Sequence, residues 1–287
     1  MTMKIGVFGG TFNPIHRGHL AAASAAARQL SLDKLLLIPD AIPPHKPLPS
    51  GSAGAEERLE MVQLCTAEVS APAEVLDLEL RRQGASYTCD TLAQLREQYP
   101  EEELFLLMGS DMFLSFETWR QPERICDLAT LAVFSRREQS ETAAFARQKR
   151  RLEETYGAHI RVLENPEVVE ISSTELREKL SRGAGRAYLT EPVYGYILRK
   201  GLYGTKTDLK HLSPEQLRPI ALSYLKPKRM PHVLGTEQEA VRLVRRYGGD
   251  ETQARIAALL HDCTKKLDMA EQLALCAAYD IPLDELE

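Results

Sequence analysis

The sequence predicts an α/β protein: a doubly wound, Rossmann-like, mostly parallel sheet followed by a small all-helical C-terminal segment. Short, nearly unbroken apolar runs alternate with helical patterns up to residue 200, as expected of strands covered on both faces. A glycine-bearing turn joins the first run to the first helix. From "SPEQL" onward apolar residues recur only at three- and four-residue spacing.

"KIGVF" reads as the first strand, with a helix from about Gly18 to Leu30. "KLLLIP" is the second, and the proline-rich "IPDAIPPHKPLP" is a stiff loop. "EVLDLEL" reads as the third strand, ahead of a helix over "TLAQLREQY". "ELFLLMG" precedes a helix at "PERICDLA", and "TLAVFS" a long polar helix from about Thr142 to Tyr156. "HIRVL" and a helix at "STELREKL" close the pattern. Ligands of such sheets bind beyond the carboxyl ends of the strands, which directs attention to the opening turn. A boundary in 205–212 divides the chain into domains 1–208 and 209–287, and the tail carries helical patterns in "TEQEAVRLVRRYG" and "DETQARIAALLHDCTKKL".

Bulk composition narrows the partners. With 287 residues, 44% hydrophobic and 27% charged, the chain can bury a core, which excludes wholesale disorder. A net charge of −5 argues against nucleic-acid backbones as partners, and "RQKRR" and "KPKR" read as solvated helix faces. No apolar run reaches the roughly 20 residues of a membrane span, so no membrane partner is expected. Five cysteines without a C-x-x-C pair suit a reduced, cytoplasmic setting. An oligomer stays open.

The chemistry concentrates in "GGTFNPIHRGHL", residues 9–20. Gly9 and Gly10 permit positive φ and leave no Cβ in the way, so the backbone through Thr11 and Phe12 can approach an anion. His16 and His19, three apart, face one side if a helix begins there, and a helix N-terminus favours a phosphate carrying developing charge. The string is neither G-x-G-x-x-G nor a P-loop. Far along the chain, "ISSTELR" contains the capping box Ser172-x-x-Glu175. The Ser172, Ser173 and Thr174 hydroxyls with Arg177 close behind suit phosphate oxygens.

The opening string resembles the signature of the H-x-G-H nucleotidylyltransferase superfamily, and most closely that of the bacterial nicotinate-nucleotide adenylyltransferases. Members usually carry aspartate where this chain has Asn13. "ISSTELR" resembles the family's second hallmark, which implies that its hydroxyls and Arg177 hold the β and γ phosphates of ATP. By the same resemblance Lys46 of "PPHKP" neutralises charge at the reacting phosphates, and Thr88 of "SYTCDTL" serves the nicotinate end. Asp111 of "MGSDM" accepts from ribose hydroxyls, and Trp119 stacks on the pyridine ring.

The implied reaction joins nicotinate mononucleotide to the AMP half of ATP and releases pyrophosphate. It proceeds by direct in-line attack with no covalent enzyme intermediate, since the acceptor phosphate is already a charged nucleophile. His19 and the backbone at Gly10 and Thr11 would serve the α-phosphate, His16 its flank, and Lys46 and Arg177 the pyrophosphate. Mg²⁺ would accompany ATP rather than occupy a protein cage.

In the tail, "RMPHVLGTEQEAVRLV" and "AALLHDCTKK" resemble the first half of an HD-superfamily phosphohydrolase domain of the kind that cleaves diadenosine tetraphosphate. The resemblance covers residues 212–287 and implies metal ligation by His232, His261 and Asp262. Later ligands of that family have no counterpart here, so the tail is expected to be truncated and inactive, with at most a weak divalent site. The alternatives are a sister enzyme using nicotinamide mononucleotide, phosphopantetheine or CTP, a metal-dependent dinucleoside polyphosphate hydrolase driven by the tail, and a non-catalytic pyridine-nucleotide sensor.

Overall fold

In the computed structural model, which describes residues 2–42, 48–82, 84–135, 139–164, 171–265, 267–278 and 280–282, the apolar runs form six strands. These are β1 (Lys4–Gly10), β2 (Lys34–Pro39), β3 (Ala73–Val75), β4 (Glu103–Gly109), β5 (Thr130–Ser135) and β6 (Ile160–Glu164). They make one sheet of order β3-β2-β1-β4-β5-β6 in which every neighbouring pair is parallel. The order reverses between β1 and β4, where a doubly wound sheet opens a crevice beyond its carboxyl ends. Gly10 pairs with Pro39 and Gly109 with Phe134, so the turns after β1, β2 and β4 leave the sheet from the same edge.

The helices between strands are α1 (Arg17–Leu30), α2 (Ala55–Leu64), α3 (Leu78–Arg81), α4 (Thr88–Gln98), α5 (Ser110–Leu114), α6 (Pro122–Leu128), α7 (Gln139–Tyr156) and α8 (Ser173–Ser181). Leu35 to Ile38 of β2 are wholly buried, as a strand covered on both faces must be. Leu20, Ala23 and Ala25–Ala27 form the buried face of α1, and alanines there let the helix lie close to the sheet.

Two local expectations need correction. "EVLDLEL" is not one strand: β3 stops at Val75 and the chain turns into the short α3, where Arg81 Nε donates to Asp77 Oδ2 at 2.8 Å. β3 pairs only with β2, so an edge strand holds little of the segment's backbone. The helix α2, built from "AEERLEMVQL", was not anticipated.

The chain divides into two compact units, Met1–Thr190 with Leu202–Thr205, and Glu191–Gly201 with Lys206–Glu287. The second unit contains α9 (Glu191–Lys200), α10 (Pro214–Ser223), α11 (Met230–Tyr247), α12 (Glu251–Leu260) and α13 (Met269–Ala278). This division and a boundary at 208/209 differ over α9, which packs on α10. At Gly195 of α9 an added Cβ would lie 1.8 Å from the carbonyl oxygen of Pro219, so the two backbones touch only because that residue is glycine. Among the described residues no helix is long and apolar enough to cross a membrane.

Candidate active site

The turn after β1 is built differently from its sequence reading. Gly9 and Gly10 remain in the strand without positive φ, and the left-handed position falls on Phe12 (φ 46°). A Cβ at Gly10 would come within 3.3 Å of the Phe12 ring, so there glycine provides close approach rather than turn freedom. A left-handed phenylalanine is strained and needs its surroundings to hold it. Its buried ring meets Phe8 edge-on at 5.6 Å and His19 at 5.2 Å. Phe12 thereby props the histidine it precedes.

His16 caps α1 and His19 lies in its first turn, with ring centroids 3.8 Å apart. The backbone N–H of His16 donates to His19 Nδ1 at 3.2 Å. Nδ1 is then an acceptor, which leaves the proton of the neutral ring on Nε2 as an outward donor. Burial drives the pKa of His16 down to about 4, and burial with the neighbouring His16 pushes His19 well below the ordinary histidine range. The pair is neutral at neutral pH. His16 Nδ1 is buried with no hydrogen-bond partner among the described residues.

Asn13 ties the turn down. Its Nδ2 donates to Ser52 Oγ at 2.8 Å, and its Oδ1 accepts from Tyr203 OH at 2.8 Å. An amide suits this position because it supplies both a donor and an acceptor. The Asn13 main-chain carbonyl accepts from Arg177 Nη1 at 2.8 Å. Arg177 also donates to Thr174 Oγ1 at 3.1 Å, so α8 starts beside the histidine turn.

Ser172 caps α8: its Oγ accepts the Glu175 N–H at 3.1 Å while Glu175 Oε2 accepts the Ser172 N–H at 3.1 Å. Ser173 and Thr174 occupy the first two helical positions, where backbone N–H groups have no intrahelical partner.

On the acceptor side Thr88 opens α4 behind Tyr87, and the Arg120 guanidinium lies 4.5 Å from the Tyr87 ring. Trp119, its neighbour in the chain, is half-buried and packs at 5.5 Å against Phe116 with the rings tilted by 42°. Asp111 is exposed in the first turn of α5, directly after β4. Lys46 lies outside the described residues.

Several residues of this region escape sequence reasoning. Arg58 of α2 is completely buried and paired with Asp40, whose Oδ2 accepts from Thr11 Oγ1 at 2.7 Å. Glu79 is buried as well, accepts from Thr91 Oγ1 at 2.7 Å, and has its pKa raised by burial. The one signal for Arg58 is its spacing: it shares a helix face with Met61 and Val62, three and four positions on.

In the helical unit the ligand atoms of His232, His261 and Asp262 lie within 4.8 Å of one another. Asp262 is already engaged by Lys265 Nζ at 2.6 Å and by Arg229, and these hydrogen bonds hold its carboxyl down at about 2. Two imidazoles and a carboxylate are donors that suit a divalent ion, which would have to compete with both cations.

Residues 7–179 match the cytidylyltransferase-like family model. Curated relatives named "Probable nicotinate-nucleotide adenylyltransferase" are 43% identical over 202 residues in Thermus thermophilus and 41% over 205 in Gloeobacter violaceus. The alignments cover 70% and 71% of this chain and 100% and 97% of those proteins. Among solved structures, Plasmodium falciparum nicotinic acid mononucleotide adenylyltransferase complexed with NaAD superposes with a TM-score of 0.57 at 18% identity. That match covers 72% of this chain and all of the other, and shows a shared fold.

Proposed function

Because the chain belongs to the cytidylyltransferase-like family, and within it to the nicotinate-nucleotide adenylyltransferases, we propose that it transfers the adenylyl group of ATP to nicotinate mononucleotide. The products are deamido-NAD and pyrophosphate, which makes this a step of NAD biosynthesis. The observation that best supports the reading is the Arg177 to Asn13 hydrogen bond, which ties α8 to the turn ahead of α1, two helices whose starts suit anions.

The acceptor phosphate attacks the α-phosphorus in line, and pyrophosphate departs on the opposite side. No general base is needed, since the nucleophile is already an anion. The enzyme's work is alignment and stabilisation of spreading charge. His19 Nε2–H and the backbone at Gly10 and Thr11 donate to the α-phosphate oxygens, and the unpartnered His16 Nδ1 faces the same flank. Arg177, Ser173, Thr174 and Lys46 hold the pyrophosphate. Thr88 and Trp119 receive the nicotinate ring, and Asp111 a ribose.

Mg²⁺ enters with ATP as part of the substrate. Its partners there are expected to be phosphates and water, because Mg²⁺ dehydrates reluctantly. The tail cluster is expected to bind a divalent ion weakly at most, since Lys265 and Arg229 already engage Asp262, and to carry no hydrolase activity. Unpaired thiols throughout fit a cytoplasmic setting.

Pyrophosphate release from ATP and Mg²⁺, with nicotinate mononucleotide, nicotinamide mononucleotide and phosphopantetheine as acceptors in turn, tests the reading. Release confined to, or fastest with, the nicotinate acceptor supports it. Release with another acceptor alone overturns it.

A further inference from the structure

Beneath the histidine turn lies a buried ion pair with no place in the reaction as described. Arg58 Nη1 donates to three acceptors, the Thr11 carbonyl at 2.8 Å, the Asp40 carbonyl at 2.7 Å and Asp40 Oδ1 at 3.0 Å. Nη2 donates to the Ala41 carbonyl at 3.0 Å. The other carboxylate oxygen of Asp40 accepts the Thr11 hydroxyl, so Thr11 is gripped at both its main chain and its side chain. A fully buried guanidinium is costly unless every contact is well made. Three of these acceptors are main-chain carbonyls, whose position the guanidinium fork dictates.

Those carbonyls belong to two segments that the transfer needs. Because a peptide group is planar and trans, fixing the Thr11 carbonyl also fixes the Phe12 N–H, which points the opposite way across the same plane. That plane lies between the double glycine and His16. The Asp40 and Ala41 carbonyls belong to the backbone just ahead of the segment that contains Lys46. From there the polar contacts continue: Ala41 N–H donates to Ser86 Oγ at 3.1 Å, and Ser86 N–H donates to the Ile42 carbonyl at 3.1 Å. Ser86 lies two residues ahead of Thr88.

We propose that Arg58 is a positioning residue for the adenylyl transfer: its buried fork locks the turn at Thr11 to the Asp40–Ala41 backbone, so that the Phe12 N–H beside the histidines is held in the orientation that serves the reacting phosphate. It touches no substrate. The proposal rests on the adenylyltransferase reading for the identity of the reaction. A loss of alignment by as little as about 1 Å costs about 10²-fold in rate while leaving substrate affinity largely intact.

The test is steady-state pyrophosphate release by the full-length protein, with kcat and KM measured separately for ATP and for the acceptor, beside urea unfolding. Arg58→Lys keeps the positive charge opposite Asp40 but cannot reach Thr11 and Ala41 together. The expected result is a cooperatively folded protein whose kcat falls about 10²-fold while KM for the acceptor moves by less than about threefold. A folded Arg58→Lys protein with wild-type kcat overturns the proposal, as does one that loses only acceptor affinity. If Arg58→Lys does not fold, Thr11→Val decides. It removes only the hydroxyl held by Asp40 and should lower kcat about tenfold, and an unchanged kcat overturns the proposal. Wild-type protein that releases pyrophosphate with a different acceptor sinks the nicotinate reading alone, and the Arg58 comparison is then made with that acceptor.

Discussion

Arg177 donates a hydrogen bond of 2.8 Å to the main-chain carbonyl of Asn13, across 164 positions of sequence. Through it the last helix of the α/β unit, α8, is anchored to the turn that precedes the histidines, and the proposed pyrophosphate role of Arg177 becomes testable. Charge-assisted hydrogen bonds of this kind are worth about 1.5–3 kcal/mol. Arg177→Lys retains the charge without the fork and should lower kcat about tenfold, while Arg177→Ala should lower it about 10²-fold. Pyrophosphate-release kinetics of the two variants, compared with wild type, check the order.

His19→Ala removes the Nε2 donor that the proposed reaction assigns to the α-phosphate. Turnover should fall by about 10² to 10³-fold with the circular-dichroism spectrum unchanged. Full activity in a folded His19→Ala protein would refute its role.

The histidine pair also makes stability depend on pH. His16 has an ordinary value of 6.5 and a folded value of about 4, so below pH 6.5 the unfolded chain binds more protons than the folded one. The stabilisation is complete above pH 6.5 and is lost as pH falls towards 4. At about 1.4 kcal/mol for each pH unit between the two values, the loss is on the order of 3 kcal/mol. Urea midpoints measured from pH 7.5 to 4.5 should fall, and His16→Gln should flatten that slope.

A triphosphate beside the two rings favours their protonated forms and so raises their pKa values. ATP binding near pH 6 should therefore take up protons. Calorimetric titration in two buffers of different ionisation enthalpy reads the uptake directly, and an identical heat in both would contradict it.

Gly195→Ala places a methyl 1.8 Å from the Pro219 carbonyl oxygen, a distance no side-chain adjustment relieves because both partners are backbone. The α9–α10 pair must separate, at a cost of about 3 kcal/mol or more. Thermal denaturation and limited proteolysis should show a loosened helical unit.

Much of this was legible in the chain because it is local chemistry. The alternation of apolar runs and helical patterns gives the parallel sheet, and strand-burial periodicity needs no distant information. The Ser172–Glu175 box caps its own helix and the His16–His19 contact is three residues wide, so both are readable within a few positions. β3 was overestimated because its apolar pattern continues past the point where the sheet edge stops supplying partners. Arg58 and Glu79 look like ordinary surface charges of short helices, since charged residues are seldom fully buried. Only their partners, at Thr11, Asp40 and Thr91, explain their places.

The sequence by itself determined the strand and helix segments, the two anion-suited helix starts and the residue types they carry, because propensity, capping and binary patterning act over a few neighbouring positions. Tertiary structure alone decided that Arg177 of α8 reaches the turn ahead of α1, that His19 keeps its proton on Nε2, and that a buried arginine grips that turn. These depend on contacts between segments far apart in the chain, and such contacts exist only once the strand order has brought the carboxyl ends of β1, β2 and β4 to one edge of the sheet.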